Sequence, residues 1–425
     1  MFPVLKGRLV KESTRYLKYI FGVIFLVLLS IGVFNWFVDP FEIYWTGEYE
    51  PHREIFLKNP WILKPMNVRK ISPKSVIMGS SRTGLGIDPE HAGRDQSIYP
   101  SYNLGLPASN LYEILSYFEH ASELGEIKQA IVGVDFFSFN IFYQAATGFN
   151  ESLLHTEGES KLLSHFRETM IALFTWPSFE MSKKKLKWNK KKSITYLNGF
   201  TVYVYPPEYP PGKSFLHNQK NYSTIFLHPA PRYQFCLYDE NGDNSQMEAL
   251  KQLLRVANRK QVDLRLFIHP IHASLQQIIK YSDLWPAFEA WKRDLVRIIT
   301  DQNSNKSQKA KLWDFSGYNS FTTEEQTPSE ALTRKMQWYY EALHYSKELG
   351  ELILDRIYAY KDESRVVPDD FGILLNEKNI DDHLKFIRKK QVEYERSHTE
   401  EKKIWIRRIE QIKMQRKSSD CKLAL

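Results

Sequence analysis

Residues 19–38 form an uncharged, largely apolar run of twenty residues, and this run constrains the chain more than any other feature. As a helix it would extend about 30 Å, which matches the hydrocarbon core of a bilayer. Basic residues precede the run and acidic residues follow it: Lys6, Arg8, Lys11, Arg15 and Lys18 before, and Asp39, Glu42, Glu48 and Glu50 after. Because positive charge stays on the cytoplasmic side, we expect a cytoplasmic N-terminus and an extracytoplasmic remainder, periplasmic or at the cell surface.

The alternative interpretation of this run is a cleaved signal peptide. No small-x-small cleavage site follows it, and the run is long for a signal sequence, so we favour a retained anchor. No other stretch approaches the roughly 18 apolar residues of a membrane span. We therefore expect a single-pass membrane protein.

The rest of the chain has the composition of a folded protein. Of its 425 residues 43% are hydrophobic and 14% aromatic, which excludes disorder of the whole chain. The net charge of +8 is mild for this length. Two cysteines, Cys236 and Cys421, exclude a disulfide scaffold and a Cys-rich zinc module, and they leave a pairing between the two open.

Short apolar strands alternate with helical patterns between residues 71 and 360. The predicted strands are residues 75–78, 130–134, 264–268 and 311–315. Capping boxes predict helices that begin near Asn110 and Ser245, and further helices are predicted over residues 288–299 and after Ser346. This rhythm predicts an α/β fold with a parallel sheet covered on both faces.

These patterns divide the chain into regions. They are a cytoplasmic basic tail (1–18), a transmembrane anchor (19–38), a juxtamembrane linker (39–70), an α/β domain (71–360) and a charged helical C-terminal extension (361–425). Residues 145–235 interrupt the rhythm, and we interpret them as an inserted α/loop region over one end of the sheet. Their lysine-rich segment, residues 182–192, is typical of a solvated face or of a contact with anionic lipid or an acidic polymer. The extension is predicted to lie on the domain or on the membrane surface.

Polar residues follow the predicted strands where each strand ends, which is where reactive groups lie in open α/β sheets. The first strand runs into Gly79-Ser80-Ser81-Arg82, and the second runs into Asp135. Further polar blocks are residues 102–109, 269–272 and 338–346.

In this order the blocks resemble the SGNH/GDSL hydrolase superfamily, and above all its membrane-anchored cell-envelope branch. That branch includes accessory proteins of membrane-bound O-acyltransferases that modify polysaccharide or teichoic acid. The resemblance covers residues 70–360 apart from the insertion, and it implies a flavodoxin-like, three-layer parallel sheet. It further implies that Ser81 is the nucleophile and His344 the base. Ala108 falls where the family supplies an oxyanion N–H, and Gly105 shapes the same block.

Two positions depart from the family pattern. Glu341 stands where the family has Asp, three residues before His344, and Asp314 at the end of the fourth strand is a second candidate for that carboxylate. Asp135 stands where the family has an oxyanion Asn, and an ionised Asp only accepts hydrogen bonds. We predict that Asp135 instead pairs with Arg82 and orients the turn that carries Ser81.

Two other functional classes are disfavoured. Gly79, Gly84 and Gly86 lack the Lys-Ser/Thr of a phosphate-binding loop, which argues against nucleotide binding. His269 and His272 could bind a metal, but no third ligand is evident nearby, and a structural loop is favoured. We expect no cofactor, no metal and no nucleic-acid partner.

The sequence thus predicts a membrane-anchored serine esterase or O-acyltransferase that acts on cell-envelope polysaccharide. Its expected partners are the membrane, a glycan or acyl donor, and a multi-span O-acyltransferase. The alternative is a non-catalytic, anchored glycan-binding or assembly protein on a degenerate hydrolase fold. The acyl group, the acceptor and the choice between hydrolysis and transfer stay open.

Overall fold

A sheet of six strands organises the chain. The structure is a computed structural model, and it describes residues 2–45, 48–155, 157–188, 194–205, 208–304, 309–328, 330 and 333–415. The helices are α1 (Phe2–Val38), α2 (Pro60–Ile71), α3 (Ser81–Gly86), α4 (Leu111–Leu124), α5 (Lys161–Phe174), α6 (Trp176–Leu186), α7 (Pro211–Asn221), α8 (Ser245–Arg259), α9 (Ala273–Tyr281), α10 (Trp285–Asn303), α11 (Lys347–Tyr358), α12 (Ile380–Ser397) and α13 (Thr399–Lys413). The strands are β1 (Glu54–Ile55), β2 (Ser75–Met78), β3 (Ser101–Asn103), β4 (Gln129–Val134), β5 (Ile194–Tyr196), β6 (Thr201–Val202), β7 (Asp263–Ile268), β8 (Lys311–Asp314), β9 (Tyr339–Glu341), β10 (His344–Tyr345) and β11 (Ile373–Leu375).

The central sheet has the strand order β11-β8-β7-β4-β2-β3. Strands β3, β2, β4, β7 and β8 are parallel, whereas β11 pairs antiparallel with β8 at the edge. The four predicted strands are confirmed to within one residue at each end, and so is an α/β fold with a mostly parallel sheet. The expectation of a purely parallel sheet is wrong at this edge, because the extension folds back and residues beyond 360 complete the sheet.

Helices bury both faces of this sheet. Successive side chains of a strand point to opposite faces, so Ile77 and Phe267 pack with α11, while Val76 and Leu266 belong to a larger cluster with α4, α8 and α10. Each buried aliphatic side chain contributes about 1.5–3 kcal/mol. The sheet is therefore held rigidly from both sides, which fixes the loops at its carboxyl edge.

Asparagine side chains begin both predicted helices that follow capping signals. In α4 the predicted box is confirmed: Asn110 accepts from the Glu113 N–H, and Glu113 accepts from the Asn110 N–H. In α8 the predicted box at Ser245 is wrong, because Asn244 is the cap and Ser245 is already helical. Asn244 Oδ1 accepts from the N–H groups of Gln246 and Met247, and its extended backbone is that of a cap residue.

The segment predicted as a linker, residues 39–70, is folded against the domain. It contains β1 and α2, and Phe41 and Phe56 are buried. Lys64 of α2 is also buried, and its ammonium donates to the carbonyls of Asn103, Gly105 and Gly199 at 2.7–3.1 Å. Burial lowers the pKa of Lys64 to about 7. This lysine fastens α2 to the loop after β3.

The N-terminal helix contains a stretch, Thr14–Val38, that is long and apolar enough to cross a membrane. It is the one such helix among the residues that the structure describes. Within the predicted insertion, α5 and α6 pack on the last turns of α1, and α7 packs on β9. The extension lies on the domain, where Leu384 and Trp405 are buried. Cys421 and the lysines at 190–192 lie outside the described residues.

Candidate functional site

Ser81 is the first residue of α3, directly after the carboxyl end of β2. The turn needs glycine at position 79, because φ is +146° there and a Cβ would lie 2.3 Å from Thr83 Oγ1. Ser80 is the helix cap, and its hydroxyl accepts from the Arg82 N–H at 3.3 Å. The turn therefore holds Ser81 half-buried at the edge of the sheet.

The hydroxyl of Ser81 meets the ring of His344, from a part of the chain 263 residues away. Ser81 Oγ and His344 Nε2 are 2.8 Å apart, and Nδ1 of the same ring contacts a carboxylate oxygen of Glu341. The Glu341 side chain is fully buried, whereas that of His344 keeps 15% of its surface exposed. The three side chains form a line from the interior toward solvent.

A tight hairpin explains why the residue three before His344 can hold it. Strands β9 and β10 pair antiparallel with Glu341 opposite His344, so the two-residue turn places the pair face to face. Opposed residues of such a pair have Cβ atoms about 4.5–5.5 Å apart. The second oxygen of Glu341 accepts from the Leu343 N–H at 2.8 Å. The glutamate thus spans both the imidazole and the turn.

Asp314, the other carboxylate that the sequence offered for this role, is engaged elsewhere. Its Oδ2 accepts from Lys292 Nζ at 2.7 Å and lies 2.9 Å from His383 Nε2. Its Oδ1 accepts from the N–H and the hydroxyl of Ser316. The structure brings Glu341, and not Asp314, to His344.

Arg82 and Asp135 form the buried ion pair that the sequence predicts. Burial disfavours the charged form of Asp135, but the Arg82 guanidinium outweighs this and holds the pKa of the carboxyl below its ordinary value. Arg82 Nε also donates to the Leu343 carbonyl at 2.7 Å. Because Leu343 lies in the turn between Glu341 and His344, Arg82 connects the helix that begins at Ser81 to the hairpin that carries His344.

His269 lies behind this pair, and His272 faces a different region. The ring of His269 is 3.2 Å from the Tyr345 hydroxyl and 3.6 Å from Asp135. Burial lowers the pKa of His269 to about 4. His272 instead contacts Ser274 and the Glu324 carbonyl. The two histidines share no ligand position, and the described part of the chain contains no cluster of three metal-ligating side chains.

Two backbone N–H groups of the predicted oxyanion site have no acceptor within the described ranges: that of Ser81, and that of Ala108 in a loop whose Leu106 N–H and Ser109 hydroxyl donate to the Gly79 carbonyl. Ala108 adopts φ of +54°, unusual for a residue with a Cβ, and its carbonyl accepts from Tyr143. The Gly105 N–H already donates to Asn103 Oδ1. Gly105 shapes the site in another way, because it packs closely on the backbone of Gly84.

Sequence reasoning missed Tyr203 and Tyr205, which lie beside the block 338–346 that carries His344. Tyr203 stacks on Tyr340 with ring centroids 4.9 Å apart, and it lies 6.0 Å from the His344 ring. The Tyr205 hydroxyl donates to the Tyr340 carbonyl. The alternation in Thr-Val-Tyr-Val-Tyr, residues 201–205, was the available signal, because period two indicates a strand with both tyrosines on one face.

The arrangement has the hydrogen bonds that nucleophilic chemistry on a carbonyl requires. Glu341 holds the proton on Nδ1, which leaves Nε2 as an acceptor for the Ser81 hydroxyl; this tautomer follows from the hydrogen bonds. Hydroxyl, imidazole and carboxylate in line are the parts of an acyl-transfer site. The sequence matches no protein-family model, and no curated protein is detectably similar to it.

Proposed function

We propose that the protein is a membrane-anchored serine esterase or O-acyltransferase. The observation that carries this proposal is the 2.8 Å contact between Ser81 Oγ and His344 Nε2, with Glu341 at the far nitrogen. A serine becomes a nucleophile at neutral pH when a base lies within about 2.6–3.2 Å. The partly exposed His344 ring leaves an approach for a substrate.

The strand order supports the resemblance to SGNH/GDSL hydrolases. In chain order the five parallel strands lie as 2-1-3-4-5, which is the order of flavodoxin-like sheets. Ser81 follows the first of these strands, at the edge where such sheets carry their reactive groups. On this proposal, helices on both faces and the site at the carboxyl edge are features of an SGNH-like domain.

In the proposed reaction Ser81 Oγ attacks an ester carbonyl while His344 Nε2 takes its proton. The N–H groups of Ser81 and Ala108 donate to the oxyanion that forms. His344 then returns the proton to the departing alcohol oxygen as its bond to carbon breaks, which leaves an acyl-Ser81. In the second half His344 accepts a proton from water or from a glycan hydroxyl, whose oxygen attacks the acyl carbonyl. As the bond from that carbonyl to Ser81 Oγ breaks, His344 returns the proton to Ser81 Oγ, which releases the acid or the new ester and restores the site.

Asp135 has a supporting role in this mechanism. Its charge is neutralised by Arg82, so it holds the turn and does not face the oxyanion as a bare carboxylate. We expect Asp135→Asn to weaken the grip of Arg82 on the hairpin and to lower turnover. A sharp rise in turnover would instead identify Asp135 as a brake on the reaction.

We further propose that the substrate is a cell-envelope polysaccharide or a membrane-bound acyl donor. A tether raises the local concentration of a membrane-proximal substrate, which favours such a molecule over a small soluble ester. The charge bias around α1 supports an extracytoplasmic domain. A multi-span O-acyltransferase is the proposed protein partner, and co-purification from membranes tests it.

The direct test is fluorophosphonate labelling of the full-length protein in detergent, together with turnover of an aryl ester. Wild type should be labelled and active, and Ser81→Ala should lose both. Ser116→Ala, which removes a half-buried hydroxyl on α4 that donates to the Tyr112 carbonyl, is the matched control and should behave as wild type. Equal labelling of wild type and Ser81→Ala would refute a nucleophilic Ser81.

The alternative function is an anchored glycan-binding or assembly protein that does no chemistry. The observation that favours it is the aromatic pair of Tyr203 and Tyr340, since aromatic surfaces are apolar platforms with a polar rim. A folded wild-type protein that neither labels nor turns over ester, but binds envelope glycan in a Tyr203-dependent way, would establish it.

A further inference from the structure

A second segment beside the N-terminal helix exposes an apolar surface. We name α5, α6 and the turn between them, residues 161–186, the α5–α6 hairpin. Along α5 the side chains of Leu162, Phe166 and Met170 are exposed, to 79% and 60% for the first two. Trp176, at the start of α6, is 63% exposed. Large apolar side chains in a continuous exposed row mark a contact surface.

The amphipathic character of α5 is inverted relative to a helix on a soluble domain. Leu162, Phe166 and Met170 are spaced by four, so they form one stripe on the helix. The polar side faces inward, where Arg69 of α2 donates to Glu168 at 2.8 Å and to Ser164 at 2.6 Å. A helix that turns its polar side to the protein and its apolar side outward is suited to an apolar surrounding.

The hairpin is fixed to the part of α1 that is apolar enough to lie in a membrane. Asn35 is fully buried, and its amide donates to the Leu173 carbonyl and accepts from Ser182, both at 2.7 Å. A Cβ on Gly32 would lie 2.5 Å from the ring of Phe174, so the two helices touch there. Because Gly32 and Asn35 both belong to the stretch Thr14–Val38, the tip of the hairpin lies at the depth of that stretch.

Basic residues lie at the other end of α6. Lys185 donates to the Asp39 carbonyl at 2.6 Å, which places it just beyond the last residue of α1. Lys184 and Lys187 on either side are exposed. An apolar tip beside the membrane segment and lysines beyond its end match the acyl and headgroup levels of one leaflet.

We propose that the α5–α6 hairpin is a second membrane contact. Trp176 at its tip lies in the acyl region, the apolar stripe of α5 lies above it at the boundary between acyl chains and headgroups, and Lys184 and Lys187 lie at anionic phospholipid headgroups. The leaflet is the one that surrounds the Val38 end of α1. The proposal depends on α1 crossing the membrane and not on the chemistry of Ser81. Together with α1 the hairpin fixes the height and the tilt of the domain on the bilayer.

The test uses the full chain, one copy per nanodisc of phosphatidylcholine and phosphatidylglycerol. An environment-sensitive fluorophore is attached at Phe166→Cys or Trp176→Cys, and the labelled wild-type chain gives the background of its native cysteines. Leu374→Cys is the matched control: Leu374 is an exposed apolar residue on β11, at the sheet edge opposite to β3. Quenching by iodide reports water, and quenching by acyl-chain nitroxide lipid reports the bilayer.

We expect probes at 166 and 176 to be quenched by the nitroxide lipid and to be protected several-fold from iodide relative to the probe at 374. Iodide quenching at 166 and 176 equal to that at 374 would overturn the proposal. Protection from both quenchers would also overturn it, because a protein partner or a second copy would then cover the stripe.

A second variant tests the headgroup contact separately. In wild type, removal of phosphatidylglycerol should reduce nitroxide quenching at 176. The double variant Lys184→Gln, Lys187→Gln should lose this dependence on anionic lipid. If the double variant keeps the full dependence, these lysines do not bind the headgroups, and that part of the proposal is wrong.

Discussion

Two histidine–carboxylate pairs have their carboxylate at the end of a strand, and they differ in the third group that each pair contacts. In the first, Glu341 holds His344, and the far nitrogen of the ring meets the Ser81 hydroxyl. In the second, Asp314 meets His383, but the same carboxylate oxygen also accepts from Lys292 at 2.7 Å. One pair ends on a serine hydroxyl near solvent, and the other ends on a buried ammonium.

The difference lies in which groups neutralise the carboxylate and which leave it free to orient a histidine ring. Asp314 stands at a strand end and is buried, as a catalytic acid often is, yet Lys292 takes its charge. Burial works against ionisation of Asp314, but the lysine and His383 hold its pKa far below the ordinary value. Glu341 has its two oxygens on His344 and on a backbone N–H. We infer that the first pair supports reactivity and the second supports stability.

The largest expected effect is a difference in the labelling rate of Ser81 between variants of Glu341 and variants of Asp314. Glu341→Gln places an amide beside Nδ1, which can donate to the ring and drive the proton onto Nε2. We expect the labelling rate of Ser81 to fall by up to about 10⁴-fold, as in the wrong-tautomer variant of such a triad. Asp314→Asn should leave the labelling rate of the folded fraction unchanged. Equal losses in the two variants would remove the distinction between the pairs.

The second test removes the cation, Lys292, from the buried pair of Asp314. Lys292→Met removes the ammonium from the buried Asp314 carboxylate, and breaking such a pair typically costs about 3–5 kcal/mol of stability. Denaturant unfolding in detergent measures the loss, and Lys292→Met with Asp314→Leu should recover most of it. Ser81→Ala is the control from the first pair and should unfold near the wild-type midpoint. A Lys292→Met protein as stable as wild type would contradict the structural role.

The sheet and the strand-end site could be predicted because short-range patterns encode them. Apolar runs such as Ser75–Met78 give the strands, and the polar residues that follow give Ser81 and Asp135. The β9–β10 hairpin escaped prediction, because strands of two or three residues are too short to show a period. Nothing local tells which carboxylate meets His344, since that choice depends on where Lys292 lies in space.

Lys292 nevertheless left a signal in the sequence. It falls four residues after Phe288 and three before Leu295, in the apolar stripe of α10, where a lysine needs a buried partner. The inserted helices left a weaker signal. The lysines of α6 indicated a charged face, but the exposed stripe of α5 becomes meaningful only once Arg69 shows which side faces inward.

The third test concerns histidines that are buried without any carboxylate. His120 and His272 each use one ring nitrogen to accept a backbone N–H and the other to contact a carbonyl, an arrangement that suits only the neutral ring. Burial lowers both pKa values from 6.5 to about 4. Between these values the unfolded chain binds protons that the folded chain does not, so stability falls as the pH falls.

Each of these histidines should remove about 1.4 kcal/mol per pH unit within this window, so the two together remove about 3 kcal/mol per unit. Unfolding free energies measured from pH 7 to 4.5 test this slope. His272→Gln should reduce the slope by about 1.4 kcal/mol per pH unit, at some cost in stability at pH 7. An unchanged slope in this variant would exclude His272 as a source of the acid sensitivity.

The smallest expected effect concerns the backbone N–H of Ala108, in the proposed oxyanion site of Ser81. Ala108 has φ of +54°, which strains a residue with a Cβ by about 1 kcal/mol, and only its N–H is needed in the proposed oxyanion site. Ala108→Gly should therefore change stability by no more than about 1 kcal/mol, since relief of strain is partly offset by a more flexible unfolded chain. Its labelling rate should stay near that of wild type.

Ala108→Val adds a β-branched side chain at the same φ, which should displace the N–H and slow labelling. If both variants slow labelling equally, the methyl group of Ala108 and not its N–H is what the site requires.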